Sequence, residues 1–200
     1  MTMIRIRAVF LSAFAACGTL AMPTALSAQS AQKYAVQIAL LSTTIGLGRS
    51  AVTTGGFGLE PQLRFNRLYA SETGGAISLG VGGQWTTHSS GGDNLTIAGL
   101  FLEPRWVPVT SSTRLYPYLS GRLAYLRQSN NFGTSSMGPG FGAGAGLAVR
   151  VNRFTNIDAG LAVVRQGFGD FEYSDGSIGT FKSFTTYAAK IGLSWGFPRN

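Results

Sequence analysis

The stretch that decides the fold is residues 187–197, which read Tyr-Ala-Ala-Lys-Ile-Gly-Leu-Ser-Trp-Gly-Phe. Apolar residues such as Tyr187, Ile191 and Trp195 occupy every second position, and the positions between them hold Ala, Lys190, Gly and Ser. Successive side chains of a β-strand point to opposite faces, so a period of two indicates a strand whose faces differ chemically. The sequence therefore predicts a strand here, with one apolar face and one face of small and charged residues.

The same alternation recurs in the stretches that precede this one, from Tyr34 onward. Together they give eight predicted strands, at 34–48, 55–67, 75–88, 95–109, 115–128, 139–151, 154–168 and 183–197. Beside them, no stretch shows the period of about 3.6 residues that is typical of an amphipathic helix. We therefore predict an all-β protein of eight antiparallel strands.

The polar faces of these strands distinguish a membrane barrel from a water-soluble sheet. In a soluble sheet the solvated face is rich in charge, whereas charged residues make up only 12% of this chain and 28 of its residues are Gly. Small residues with isolated charges suit the crowded interior of a narrow barrel. Two aromatic pairs, Phe57 with Phe65 and Tyr187 with Trp195, span about 20 Å along the axis, close to the apolar band of an outer-membrane barrel. These patterns predict an eight-stranded antiparallel up-and-down transmembrane β-barrel.

The N-terminal region has the features of a secretory signal peptide. Two arginines among the first seven residues precede an apolar stretch over residues 8–22, and small residues follow it. Such a segment is short for a membrane anchor and is removed on export. We predict a signal peptide over residues 1–28 and a barrel domain over residues 29–200. The single cysteine, Cys17, lies in the predicted signal peptide, so the exported chain would contain no disulfide.

Residues 190–197 also match a pattern found at the C-terminus of outer-membrane proteins. This β-signal has a polar residue, a glycine, a hydrophobic residue and an aromatic residue, which here are Lys190, Gly192, Trp195 and Phe197. With the signal peptide and the eight strands, the chain resembles the small outer-membrane β-barrel domain family, similar to the OmpA transmembrane domain and OmpX. The resemblance implies that the barrel-assembly machinery reads these four residues. It also implies a place in the outer membrane of a Gram-negative cell envelope, in contact with lipid and lipopolysaccharide.

The direction of the strands sets which end of the barrel faces outward. An even number of strands brings both termini to one end, which in this class of protein is the periplasmic end. The links at 129–138 and 169–182 are rich in Gly, Ser, Asn and Asp. We expect these longer links to face the cell exterior.

Alternation also places a set of charged side chains in the barrel lumen. These are Glu60, Arg64, Glu103, Arg105, Arg122, Arg150, Asp158 and Lys190. One interpretation is a charged constriction that filters ions. The other is an internal network of salt bridges that plugs the lumen, because unpaired charges in a narrow space are costly. We favour the plug, since eight strands leave little more than room for side chains.

The pair His88 and Ser90 raises an enzymatic alternative. One family of lipid A deacylases built on the same type of barrel uses a His-x-Ser pair, in which His is a base and Ser a nucleophile. Here the pair lies at the end of a predicted strand that runs into a Gly-Gly-Asp stretch. Alternation turns both side chains inward, away from lipid. We therefore interpret the pair as a polar strand end.

The remaining patterns give no support for cofactor, metal or nucleic-acid binding. The 16 basic residues are scattered singly, unlike the clustered basic surface of a nucleic-acid-binding protein. The glycine-rich run at 138–146 is followed by a predicted strand, where a phosphate loop would need a helix. One histidine and an exported chain without cysteine offer no metal site. We expect no cofactor, no metal and no nucleic-acid partner.

The leading functional interpretation is a non-enzymatic integral outer-membrane barrel. It would display its longer links for an unidentified surface ligand, or it would support envelope integrity. Two alternatives remain: a lipid A-modifying barrel enzyme that uses His88 and Ser90, and a narrow channel.

Overall fold

The computed structural model describes residues 32–46, 53–90, 93–112, 114–130, 135–172, 177–180 and 183–198. Strand bounds are β1 Gln32–Gly46, β2 Thr53–Ser71, β3 Gly75–Ser90, β4 Asp93–Val107, β5 Leu115–Asn130, β6 Ser135–Arg150, β7 Thr155–Gln166, β8 Asp170–Glu172, β9 Ile178–Thr180 and β10 Phe184–Pro198. Eight of these strands form a closed barrel, and β8 pairs with β9 in a separate two-stranded sheet. The predicted signal peptide, residues 1–28, lies outside the described residues.

The barrel is closed because β1, the first strand, pairs with β10, the last strand, as well as with β2. The strand order is β1-β10-β7-β6-β5-β4-β3-β2, and β1 pairs antiparallel with both β2 and β10. Tyr34, for example, lies opposite Phe65 on one side and Phe197 on the other. A closed sheet satisfies its backbone hydrogen bonds internally and leaves no edge, which is what a lipid environment requires of a sheet. The predicted eight-stranded antiparallel barrel is confirmed.

The two ends of the barrel differ in their connections. We call the end that holds residues 32 and 198, together with the links at 72–74, 108–114 and 151–154, the terminus end. We call the opposite end, where β1, β3, β5 and β7 end, the loop end.

One predicted link is wrong in its extent. The predicted link at 129–138 is mostly strand, because β5 continues to Asn130 and β6 begins at Ser135. Ser129 lies opposite Ser135 and Arg127 opposite Met137. The stretch 135–138, Ser-Ser-Met-Gly, has the composition of a turn, but pairing with the neighbouring strand decides its conformation. The predicted link at 169–182 contains the small β8–β9 sheet.

The outer surface of the barrel is apolar. Large hydrophobic side chains face outward along every barrel strand, with Phe57 75% exposed, Leu100 71% and Leu161 51%. Exposed aromatic rings lie near both ends, including Trp106 and Trp195 toward the terminus end. Inward positions of the same strands hold most of the buried polar and charged residues. The distribution of polarity is therefore the inverse of that in a water-soluble domain. Within the described residues, no helix has the length and apolar character to cross a membrane.

Candidate functional site

The lumen contains three layers along the barrel axis. An apolar plug, formed by Ile45, Ile97, Leu126, Phe168 and Phe184, lies at the loop end. A charge network occupies the middle of the barrel, and its charged members are Glu60, Arg64, Glu103, Arg105, Arg122, Asp158 and Lys190. A vestibule, the cavity lined by inward residues of the strand ends such as Gln37, Asn66, Ser78 and Tyr116, lies at the terminus end.

Glu103 is the centre of the charge network. Its Oε1 accepts hydrogen bonds from Arg64 Nη2 and Arg105 Nε, both at 2.8 Å. Its Oε2 accepts from Lys190 Nζ at 2.7 Å and lies 3.5 Å from Arg122 Nη1. Glu103 is only 2% exposed, so these four cations replace the water that an exposed carboxylate would bind. One side chain of β4 therefore connects β2, β5 and β10.

The other two carboxylates complete the network. Glu60 Oε2 accepts from Arg122 Nη1 at 2.6 Å, and Glu60 Oε1 lies 3.4 Å from Lys190 Nζ. Asp158 accepts from Arg105 Nη1 and, at 2.9 Å, from the hydroxyl of Tyr118. Every oxygen of the three carboxylates thus has a donor. Buried ion pairs are tolerated when their remaining hydrogen-bonding capacity is satisfied in this way.

Aromatic rings and a side-chain amide contact the cations of the charge network. The Arg105 guanidinium lies 3.9 Å from the ring centre of Tyr118, and that of Arg122 lies 3.8 Å from the ring centre of Phe101. Such cation–π contacts are stronger where water is excluded. Arg122 also donates to Gln84 Oε1 at 2.9 Å. The network is therefore embedded in side chains that fix its geometry.

Two glycines make space for Tyr118. A Cβ atom at Gly146 would lie 2.3 Å from the Tyr118 hydroxyl oxygen and 2.5 Å from the carbonyl oxygen of Ala159, and one at Gly160 would lie 2.5 Å from the same hydroxyl. All three distances are too short for a Cβ atom. The glycines on β6 and β7 thus allow Tyr118 to reach Asp158, which gives part of the glycine-rich face a packing role.

The structure brings together seven of the eight charged residues predicted to face the lumen. Arg150 lies apart from them, in the lining of the vestibule, with its guanidinium 5.1 Å from the ring centre of Tyr116. It is the last residue of β6 and therefore lies at the barrel end. The sequence analysis did not include Tyr118 in the network, although Tyr118 and Arg122 both occupy even-numbered, inward positions of β5.

The apolar plug was also missed. Ile45, Ile97 and Leu126 occupy inward positions near the loop end, and Phe168 and Phe184 flank the link between β7 and β10. The two phenylalanine rings lie 5.4 Å apart. The sequence does contain an indication of the three aliphatic residues. Each is an apolar residue at a position that alternation assigns to the inner, otherwise polar face of its strand. The two phenylalanines lie at or beyond strand ends, where alternation no longer assigns a face.

His88 faces the lumen and is 1% exposed. Its Nε2 lies 2.8 Å from Thr43 Oγ1, and a Cβ at Gly56 would lie 2.3 Å from its ring. Among the described side chains, no carboxylate oxygen lies within hydrogen-bond distance of this ring. The side chain of Ser90 lies outside the described residues, although its backbone pairs with Asp93. The described part of the chain also brings together no three His, Cys, Asp or Glu side chains able to hold a metal ion.

The four residues of the predicted β-signal lie on β10. Lys190 faces the lumen within the charge network, and Gly192 packs against β1, where a Cβ would lie 2.7 Å from the carbonyl oxygen of Ile38. Trp195 faces outward. The backbone of Phe197 pairs with Tyr34, and its side chain lies outside the described residues.

Comparison with known proteins identifies the fold. No protein-family model matches this sequence, and no curated protein matches it. The crystal structure of Neisserial surface protein A (NspA) is similar at 15% identity, with a TM-score of 0.62 over 82% of this chain and 97% of that chain. Ail of Yersinia pestis is similar at 12% identity over 83% and 99% of the two chains, with a TM-score of 0.45. The N-terminal β-barrel domain of Pseudomonas aeruginosa OprF is similar at 17% identity over 83% and 98%, with a TM-score of 0.42. The chain thus has the fold of NspA, a small outer-membrane β-barrel of eight strands.

Proposed function

We propose that this protein is a non-enzymatic integral outer-membrane barrel with a closed lumen, which displays its loop end at the cell surface or supports envelope integrity. One observation carries the proposal. The apolar side chains face outward, and the lumen contains a network of buried ion pairs and a cluster of buried apolar side chains.

The outward apolar surface supports a place in the bilayer. Burial of apolar area is worth about 25 cal/mol per Å², and exposed patches of more than a few hundred Å² are rare on soluble monomers. The exposed leucines, valines and aromatic residues extend around the whole barrel. Lipid removes the cost of exposing this surface to water. The likeness of the fold to NspA supports the same location.

The layers of the lumen argue against a narrow channel. An ion that entered from the loop end would first meet the apolar plug, whose hydrocarbon side chains make dehydration costly, although buried polar side chains such as Gln128, Gln166 and Thr186 lie at the same level. It would then have to displace ion pairs such as Glu60 with Arg122. The two layers lie in series, so opening one of them would not open a path.

The position of His88 argues against a lipid A-modifying enzyme. A lipid substrate lies in the bilayer, outside the barrel wall, whereas His88 faces the lumen and is in contact with Thr43. A base that acts on a lipid must reach it through a hydrogen bond.

Fractionation and gel migration test the membrane location. We expect the protein in the outer-membrane fraction, and we expect the unheated protein to migrate differently from the heated protein, because a closed hydrogen-bonded sheet resists detergent. Recovery from the soluble periplasmic fraction without detergent would contradict the proposal.

Surface labelling tests the orientation. Ile178 on β9 is 75% exposed at the loop end, and Ser111 is exposed in the link 108–114 at the terminus end. In intact cells, a membrane-impermeant maleimide should label Ile178→Cys and not Ser111→Cys, while the unsubstituted protein gives the background. The opposite pattern would show that the terminus end faces outward.

Mass spectrometry of lipid A tests the enzymatic alternative. Lipid A from cells with and without the protein should be identical. A difference that is abolished by Ser90→Ala would establish the enzyme instead.

A further inference from the structure

The vestibule at the terminus end has the properties of a binding cavity. Its volume is about 90 Å³, and all eight barrel strands contribute to its lining. A cavity needs about 10–15 Å³ to hold one water molecule, so this one has room for several water molecules or one small ion. The charge network forms its inner wall through Arg64, Arg105 and Asp158.

The lining is strongly cationic. Arg64, Arg67, Arg105 and Arg150 line the vestibule, and Asp158 is the only carboxylate among the described lining residues. The charge network, which shares Arg64, Arg105 and Asp158 with this lining, contains four cations and three carboxylates within the described part of the lumen. An excess positive charge in a water-poor space favours a counter-anion.

Two buried donors in this lining have no partner. Arg64 Nε and Gln37 Nε2 are buried atoms that make no hydrogen bond within the described structure. Arg64 is 5% exposed and Gln37 is 1% exposed, so bulk water does not solvate these side chains. Unpaired buried donors are rare, because burial without a partner is destabilising. Both residues line the same cavity, so a change of side-chain rotamer would bring either donor to an acceptor bound there.

The backbone at Arg67 directs a further cation to the same place. Inward positions on β2 are even-numbered up to Asn66, so regular alternation would turn Arg67 toward lipid. Instead the register shifts between Phe65 and Tyr69, Arg67 has a φ of 54°, and both Asn66 and Arg67 line the vestibule. A positive φ is strained for a residue other than glycine. Among the described residues, no carboxylate forms an ion pair with Arg67.

We propose that the vestibule is a binding site for a small oxyanion, of the phosphate or carboxylate class. Arg64 Nε and Gln37 Nε2 donate to the anion from the inner wall, and Arg67 and Arg150 bind it at the mouth. Guanidinium groups suit this role because their planar donors match the oxygens of phosphate and carboxylate. The site opens at the terminus end, so the anion enters from the side that holds residues 32 and 198.

The experiment uses the folded barrel in an uncharged detergent at constant ionic strength set with chloride. Inorganic phosphate and acetate are each titrated, and binding is measured by calorimetry and by the Tm of the barrel. We expect saturable binding near one anion per barrel and a Tm that rises with anion concentration. Arg67→Gln and Gln37→Leu should each weaken binding at least about tenfold, the scale of one lost charge-assisted hydrogen bond.

The matched control is Arg114→Gln. Arg114 is an exposed arginine in a link at the same end and does not line the cavity, so its loss changes net charge equally. Unchanged binding in this variant, together with weakened binding in Arg67→Gln, supports the proposal. Saturable binding of either phosphate or acetate is enough to support it. No saturable binding of phosphate or acetate, or an equal loss in Arg114→Gln, would overturn it. Because Arg67 is exposed, Arg67→Gln is expected to fold, and its unheated gel migration verifies this.

Discussion

At the scale of single residues, Glu103 connects more of the lumen than any other described side chain. It is the only carboxylate among those described that contacts Arg64, Arg105, Arg122 and Lys190. Ion pairs of this kind stabilise a fold little relative to apolar packing, but removal of one partner leaves the others buried and uncompensated. The effect of a substitution in the network therefore depends on how many charges it leaves buried without their partner. A substitution of Glu103 leaves four such cations.

We expect Glu103→Ala to reduce the free energy of unfolding by about 3–5 kcal/mol. The measurement is the denaturant midpoint of the folded barrel in detergent. Glu103→Gln keeps the shape and one acceptor, so it should lose less. Ser135→Ala is the control, since Ser135 makes only an exposed hydrogen bond with Arg127, and it should change stability by less than about 0.5 kcal/mol. A neutral Glu103→Ala with increased conductance would mean that the charges line an open pore.

A second prediction concerns glycine on β6. Gly146→Ala places a methyl group against the Tyr118 hydroxyl and the Ala159 carbonyl, so it should lower the free energy of unfolding by about 1–3 kcal/mol through overpacking. Gly140→Ala on the same strand meets side-chain atoms only at 3.5 Å, which is ordinary contact. It should be neutral, or it should stabilise the fold by about 0.4–1 kcal/mol, because alanine has less conformational entropy than glycine in the unfolded chain. Equal effects of the two substitutions in urea titrations would refute the packing role of Gly146.

At the scale of elements, the barrel strands combine an apolar outer face with an inner face of small, polar and charged side chains. On β7, Leu161 faces outward between Ala145 of β6 and Ala189 of β10, while Asp158 faces the lumen. A shift of one residue in register would exchange the two faces. The strong contrast between faces therefore fixes the register of the strands.

Leu161→Arg tests the outer face. The residue lies near the middle of β7, and arginine at the bilayer midplane of a barrel costs about 2–4 kcal/mol. Leu161→Ala, which changes size without charge, should cost less. Both are compared by the midpoint of unfolding in lipid bilayers. If arginine were tolerated as well as alanine, this face of β7 would not contact lipid.

Alternation is also the reason why so much of the fold was predictable. Strand number, the faces and the inward position of Glu60, Glu103 and Asp158 all follow from a period of two, which depends only on local sequence. The link at 129–138 was predicted wrongly because its Ser and Gly content is that of a turn. The pairing of Glu60 with Arg122 could not be predicted, since it depends on the stagger of strands that are distant in sequence.

At the scale of the whole molecule, the apolar plug and the charge network lie one after the other along the barrel axis, and under the proposed function they act as two barriers in series. The plug holds Phe168 and Phe184 in contact near the loop end, and the network lies below it. Under the proposed function, water and ions reach the described part of the lumen from the terminus end, through the vestibule.

Planar-bilayer recordings test this arrangement. The unsubstituted barrel should show no steady conductance. Neither the double substitution Phe168→Ala with Phe184→Ala nor Glu103→Ala alone should open a path, because one barrier remains in each case. The triple substitution should conduct, provided that its unheated gel migration shows a folded barrel. Steady conductance of the unsubstituted barrel would contradict the closed lumen.

The pairing of β1 with β10 has a consequence for biogenesis. It joins residues 32–46 to residues 184–198, so the ring cannot be completed until the last strand has been synthesised. Before that point, β1 and β7 each present a row of free N–H and C=O groups, which readily pair with other chains. Contacts this distant in sequence also form slowly. A chain that stopped before Phe184 would therefore lose the closed ring and not only one eighth of the stability of the barrel, and its sheet would keep two open edges.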